Sequence, residues 1–233
     1  MSLIDAIVKA GSKPPDSAEQ SVKKRYSEIL SHALAMEIAE GLRSVGFAQV
    51  KPLRDGKKEK EFQGGLGPKR VDVSFSDEQH GLLLGVSIKS ICFSPFGKNL
   101  KNRFSDLCTE AVTLHMRFPY SVLTGFFAMP VTADEDLSRI RVKSTFLRAT
   151  HLFSTISGRR NYTDPGEKFE GFTMMKFNDI GAPGGPSFML VDADTNRELS
   201  EREVFRQLRD LYNNRNPHAI IEEMESEDPD PTS

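Results

Sequence analysis

The sequence has only two cysteines, Cys92 and Cys108, among 233 residues. Two are too few for a disulfide framework or a cysteine-rich zinc site, so we expect reduced thiols buried in the core. No apolar run approaches the roughly 20 residues that a membrane-spanning helix needs. The first ten residues contain Asp5 and lack a basic segment followed by a long apolar one. We therefore expect no signal peptide and a cytoplasmic protein without membrane contact.

Several functional patterns are also missing. The glycine-rich residues 64–68 lack the Gly-Lys-Ser/Thr ending of a P-loop and precede no predicted helix, so a mobile hairpin that contacts a ligand is the better interpretation. His115 falls on the apolar face of a predicted helix without a serine or cysteine nucleophile pattern, which favours a core histidine over a catalytic one. We find no internal repeats.

Charge is distributed unevenly, although the formal net charge is only −2. Residues 222–233 contain six acidic side chains and no basic one, which is typical of a disordered, solubilising terminus. A basic cluster precedes residue 71, and its members are Lys51, Arg54, Lys57, Lys58, Lys60, Lys69 and Arg70. Such a cluster either tracks nucleic-acid phosphates or forms a solvated loop, and the charge pattern fits both.

The centre of the chain predicts a β-hairpin. Residues 70–75 alternate, so Val71, Val73 and Phe75 are expected on one face of a strand, and residues 81–91 form a nearly continuous apolar strand. A polar turn that ends in glycine connects them. Asp72 and Lys89 break the apolar pattern. Burying these charges is costly unless they meet each other or a metal, so we expect them close together on one face.

Helices and strands alternate around this hairpin and predict an α/β fold. Residues 1–16 suggest a short helix and a linker, and the capping box at Ser17 opens a long helix. A strand over 47–52, the hairpin, a helix over 101–117 and a strand over 120–129 follow. A capping box at Thr132 opens a helix that reaches Phe153. The remaining elements are strands over 170–177 and 187–191 and a helix from the capping box at Ser200 to about Asn213.

This order predicts one domain. Residues 17–215 form it, with a core over 17–130 and a C-terminal α+β extension over 131–215 that continues the sheet. Residues 1–16 are an N-terminal segment, and residues 216–233 are the acidic tail. A chain of this length with 38% hydrophobic residues can bury a core of its own.

An Asp on one strand, a short turn and a strand that carries x-x-Lys resemble the core of the PD-(D/E)xK nuclease superfamily, which includes many restriction endonucleases. Asp72 and Lys89 match that pattern, whereas Ser87 stands where the family has a carboxylate. The order of elements over residues 17–130 also resembles that core. The resemblance implies a restriction-endonuclease-like mixed sheet flanked by helices, and a metal-dependent endonuclease of restriction or defence type that hydrolyses phosphodiester bonds in DNA.

The resemblance also implies roles for individual residues. Asp72 would hold Mg²⁺ or Mn²⁺ with the backbone carbonyl of Ile88, and Lys89 would orient the attacking water. Ser87 offers only a neutral hydroxyl, so the second carboxylate would come from Glu37 on the first long helix or from Glu61. Glu37 also fits a salt-bridged residue at the edge of the core.

The expected partner is double-stranded DNA. Lys98, Lys101 and Arg103, at the start of the predicted helix 101–117, join Lys57, Lys58, Lys69 and Arg70 as candidate phosphate contacts. Glu110 is assigned to the start or polar side of the same helix. Double-strand cleavage would favour a homodimer. Two alternatives stay open, namely a catalytically inactive nucleic-acid-binding or scaffolding protein with the same fold, and an RNA-directed nuclease.

Overall fold

The computed structural model describes residues 2–55, 60–136 and 143–222. Its helices are α1 (Leu3–Ala10), α2 (Gln20–Ser44), α3 (Phe96–His115), α4 (Thr132–Glu135), α5 (Thr145–Ser154) and α6 (Glu201–Arg215). Its strands are β1 (Lys60–Gly64), β2 (Gly67–Val71), β3 (Val73–Asp77), β4 (Gly81–Ser90), β5 (Val122–Pro130), β6 (Gly171–Asn178), β7 (Ser187–Asp192) and β8 (Glu198–Leu199). Within these ranges, no helix combines the length and the apolar composition needed to cross a membrane.

A six-stranded mixed sheet forms the centre, in the order β3-β4-β5-β6-β7-β8. β4 pairs in parallel with β5, and β5 with β6, whereas the outer pairs are antiparallel. Parallel neighbours need a long crossover, and α3 supplies it between β4 and β5. Because β6, β7 and β8 continue the same sheet, the expected C-terminal extension is part of one α/β layer structure.

Helices cover both faces of this sheet. Residues of α1, α2 and α6 pack in one apolar core, and residues of α3 and α5 pack in the other. Side chains alternate along β4, so Val86 and Ile88 enter the α1–α2–α6 core. Ser87 and Lys89 therefore face α3. The N-terminal segment is not a separate appendage, since Leu3 and Ile7 of α1 are fully buried in the first core.

The chain around Asp72 differs from the predicted single strand. β2 ends at Val71 and belongs to a two-stranded sheet with β1, whereas β3 starts at Val73 in the main sheet. Val71 packs in the α3–α5 core and Val73 in the opposite one. The prediction that Val71 and Val73 share a face is therefore wrong, because a bend at Asp72 changes the face.

Several other elements also differ from those predicted from the sequence. The strand predicted over 47–52 is a single bridge between Lys51 and Ser74, and the hairpin β1–β2 packs Phe62 into the α3–α5 core instead. Ser17 caps no helix, since the cap residue of α2 is Glu19, which makes no side-chain cap bond. Of the helix predicted from Thr132 to Phe153, the structure has α4 and α5, and residues 137–142 between them lie outside the described residues. The capping box at Ser200 is confirmed.

Candidate functional site

Asp72 lies in the bend between β2 and β3, and its carboxylate accepts a hydrogen bond from the edge of β4. The β3–β4 ladder begins at Val73 and Val86, so the N–H of Ile88 lies beyond the end of the ladder. Asp72 Oδ2 accepts that N–H at 2.6 Å. Since the N–H and C=O of one strand residue point to the same side, the Ile88 carbonyl faces the same edge as Asp72.

Lys89 lies between two carboxylates. Its Nζ is 3.6 Å from Asp72 Oδ2 and 3.3 Å from Glu110 Oε2. Burial lowers the pKa of Lys89, but the negative charges of Glu110 and then Asp72 outweigh burial and raise the pKa above its ordinary value. The ammonium is therefore held in its charged form. The expected proximity of Asp72 and Lys89 is present in the structure.

Glu110 of α3 is the carboxylate that the sequence reasoning missed. Its side chain is 1% exposed. Its Oε1 accepts a hydrogen bond from Ser87 Oγ at 2.5 Å, and its Oε2 is 3.0 Å from Lys69 Nζ. Burial raises the pKa of Glu110, but Lys89, Lys69 and the Ser87 hydroxyl together lower it below its ordinary value. An ionised carboxylate thus lies against Ser87.

The assignment of Glu110 to the start or polar side of its helix was wrong. Glu110 follows Leu107 by three residues and precedes Leu114 by four, which is the spacing of the buried stripe. That spacing is the signal in the sequence from which its inward orientation could have been predicted.

The structure brings neither Glu37 nor Glu61 to this group. Glu37 is on α2, across the sheet from α3. Burial raises its pKa, and the charges that also act on it include those of Asp5, Lys9 and Glu40. Glu61 is exposed and pairs in register with Arg70, whereas Phe62 pairs with Lys69. Because paired residues share a face, Glu61 points away from Lys69 and Glu110.

The candidate phosphate contacts have different positions. Lys98, Lys101 and Arg103 are exposed on the first turns of α3, and Arg70 is exposed on the outer face of the hairpin. Arg103 forms an ion pair with Asp106 at 3.1 Å. Lys69 is half-buried against Glu110 and belongs to the site itself. Lys57 and Lys58 lie outside the described residues.

A basic cleft lies at the end of β4, where Ser90, Ile91 and Cys92 line it. It has a volume of about 280 Å³. Lys23 and Lys24 of α2 line one side, Arg103 of α3 lines another, and Ser90 lies at its inner end. Three cations from two helices therefore border this cleft, and the charge of one of them, Arg103, also acts on Lys89.

The oxygen atoms around Lys89 are of the type that hard divalent cations bind in proteins. Within the three described ranges, no group of three or more His, Cys, Asp or Glu side chains is arranged to hold a metal ion. Mg²⁺, however, is bound through one or two carboxylates with several retained waters. Asp72, Glu110 and the Ile88 carbonyl supply oxygen donors. Glu110 Oε2 is buried and has ion pairs but no well-directed hydrogen bond from the described residues.

Comparisons with known proteins give no family assignment. No protein-family model matches the chain, and no curated protein or solved structure is significantly similar to it. The interpretation of the site therefore depends on its own residues and geometry.

Proposed function

We propose that this protein is a metal-dependent endonuclease that hydrolyses phosphodiester bonds in DNA. The observation that carries the proposal is the Lys89 ammonium within 3.6 Å of two carboxylates, Asp72 and Glu110, near the end of β4, whose last residue, Ser90, lines a basic cleft. The Glu110 carboxylate, which contacts Ser87, supplies the negative charge that the strand lacks at that position. The resemblance to the PD-(D/E)xK superfamily supports the same proposal.

Each residue has a distinct role in this proposal. Asp72, Glu110 and the Ile88 carbonyl would hold Mg²⁺ or Mn²⁺, which when bound supplies a Lewis acid for the phosphoryl oxygens and lowers the pKa of a bound water. Lys89 orients the attacking water and offsets the charge that develops on the phosphate. Ser87 and Lys69 hold the two oxygens of Glu110 in place.

The basic cleft provides the contacts that position the substrate. Lys23, Lys24 and Arg103 border it, and Lys98 and Lys101 extend the positive surface along α3. Ammonium and guanidinium groups that follow a backbone bind phosphates with little base specificity and with a strong dependence on salt. The cleft therefore favours a nucleic acid over a small phosphate ester as the substrate.

A second candidate is a nucleic-acid-binding protein without catalytic activity. Lys69 and Lys89 already balance the charge of Glu110 at 3.0 and 3.3 Å, so the site is electrostatically satisfied without a cation. In that case Asp72, Lys89 and Glu110 are a structural ion-pair network, and the basic cleft alone carries function.

A nicking assay on supercoiled plasmid separates the two candidates. We expect cleavage with Mg²⁺ or Mn²⁺ and none with EDTA, and a loss of at least about 100-fold in Asp72→Asn, Glu110→Gln and Lys89→Met, since each removes charge from the reacting centre. Glu61→Gln, an exposed carboxylate on the outer face of the hairpin, is the matched control and should cleave normally. Circular dichroism checks that each variant is folded.

The outcomes are distinct. Metal-dependent cleavage that survives in folded Asp72→Asn and Glu110→Gln would exclude this site. Salt-sensitive DNA binding without cleavage by the wild type would favour the second candidate. A parallel assay on single-stranded RNA shows whether RNA is cleaved in place of DNA.

A further inference from the structure

A second cavity of about 400 Å³ lies between α6, the start of β6 and residues 158–160. Thr124 of β5 lines it. Because Thr124 pairs in register with Val86, it shares the face of Val86, whereas Lys89 is on the other face of the sheet. The cavity is therefore separate from the candidate nuclease site.

A buried carboxylate organises one wall of this cavity. Glu170 Oε1 accepts from Arg159 Nη1 at 2.7 Å and lies 3.2 Å from Arg215 Nη2. Glu170 Oε2 accepts the N–H of Leu123 at 2.8 Å. The Arg159 side chain is only 1% exposed, and the Arg215 side chain is 12% exposed. Two guanidinium groups thus share one carboxylate at this wall, whereas the lining of the whole cavity has three arginines and four carboxylates.

Three polar atoms at this wall have no hydrogen-bond partner among the described residues. They are Arg159 Nε, Arg215 Nη1 and Thr124 Oγ1, and each is buried. A guanidinium nitrogen can only donate, so the missing partner is an acceptor. Buried polar groups in native proteins are almost always hydrogen-bonded, so three exceptions in residues that line one cavity call for a ligand or an ordered water.

The opposite rim of the cavity offers acceptors. Asp192 and Asp194 line it, in the turn after β7. Asp192 Oδ1 accepts the N–H groups of Asp194 and Thr195 at 2.8 and 3.0 Å, and Asp194 Oδ2 accepts from Ser157 Oγ at 2.7 Å. These carboxylates favour hydroxyl or amine groups on a ligand.

We propose that this cavity binds a small molecule that carries an oxyanion, either phosphate or carboxylate, together with hydroxyl or amine groups. The oxyanion contacts Arg159, Arg215 and Thr124, and the hydroxyl or amine groups contact Asp192 and Asp194. The volume is within the range of small-molecule sites. The proposal does not depend on nuclease activity.

Isothermal titration calorimetry on the full chain tests it with three probes. Ribose 5-phosphate carries phosphate and hydroxyls, glutamate carries carboxylates and an amine, and ribose lacks the oxyanion. We expect at least one of the first two to bind, and ribose to bind at least tenfold more weakly than ribose 5-phosphate if the ligand group is phosphate. Binding of ribose 5-phosphate assigns a phosphate, and binding of glutamate alone assigns a carboxylate.

Two variants and one control locate the site. Thr124→Val preserves the shape of the side chain and removes only the hydroxyl, and Arg215→Met removes one unpartnered donor. Each should weaken binding about tenfold, which is the effect of one hydrogen bond to a charged group. Arg117→Gln, in a different cavity, should bind as the wild type does. If neither oxyanion probe binds the wild type, or if folded Thr124→Val binds unchanged, the proposal is wrong.

Discussion

Two buried glutamates, Glu110 and Glu170, have similar surroundings but belong to sites for which we propose ligands of opposite charge. Each side chain is 1% exposed, and each carboxylate lies within 3.3 Å of two basic side chains. The bases at Glu110 are Lys69 and Lys89, whereas those at Glu170 are Arg159 and Arg215. In both cases burial raises the pKa of the carboxyl and its polar neighbours lower it below the ordinary value.

The difference lies in what each carboxylate leaves unpaired. Glu110 keeps an oxygen without a directed hydrogen bond and lies, across Lys89, from a second carboxylate, which supports the cation proposed above. Glu170 is bonded by a guanidinium and a backbone N–H, and the unpaired atoms around it belong to Arg159, Arg215 and His115. The unpaired arginine donors support the oxyanion proposed above. The number of charges is therefore a poor guide to a ligand, and the unsatisfied atoms are a better one.

Replacing each glutamate with glutamine should give the largest difference between the two sites in the free energy of unfolding. Glu170→Gln leaves Arg159 buried with no counter-charge, and we expect the free energy of unfolding to fall by about 3–5 kcal/mol. Glu110→Gln should cost about 2 kcal/mol, because Lys69 and Lys89 are 32% and 21% exposed and can turn towards water. Urea unfolding measures both. Equal losses would contradict the distinction, and Glu61→Gln should have the stability of the wild type.

The pH dependence of stability should show the contribution of the ionised Glu110 carboxylate. Because the pKa of Glu110 is lower in the folded protein than its ordinary 4.5, its ionisation stabilises the fold fully above pH 4.5, and this contribution is lost as the pH falls through the depressed folded pKa. The stability gap between wild type and Glu110→Gln should therefore be constant near pH 7 and shrink below pH 4.5. Urea unfolding from pH 7 to pH 3 tests this, and a gap that widens with acid would contradict it.

The features that depend on residues close together in the sequence could be predicted from local patterns. Asp72 and Lys89 interrupt apolar strands, and the cost of burying isolated charges predicts that they meet. The distance of 3.6 Å agrees with that argument. The capping box at Ser200 is also local, since its residues are only three apart, and it begins α6 as expected.

The other features of the fold and of the candidate site depend on tertiary packing. The bend at Asp72 arises because β2 pairs with β1 outside the main sheet, and no alternation within residues 70–75 encodes that partner. Glu110 could be found from the spacing of its helix, but its contact with Ser87 joins residues 23 positions apart. Arg159, Glu170 and Arg215 come from three separate segments, so their meeting is visible only in the folded chain.

The smallest expected change in stability concerns two buried serines on neighbouring strands. Ser87 and Ser74 are each 1% exposed, but Ser87 Oγ donates to Glu110 and Ser74 Oγ has no hydrogen-bond partner among the described residues. Ser87→Ala should lower the free energy of unfolding by about 1–2 kcal/mol, because it removes a hydrogen bond to a charged group. Ser74→Ala should be neutral or slightly stabilising, because it removes a hydroxyl whose burial is uncompensated. A double-mutant cycle with Glu110→Gln isolates the pair, and the Ser87→Ala loss should shrink when Glu110 is already neutral. If Ser87→Ala and Ser74→Ala change stability equally, the hydroxyl does not hold Glu110 in place, and the role given to Ser87 in orienting the second carboxylate has no support.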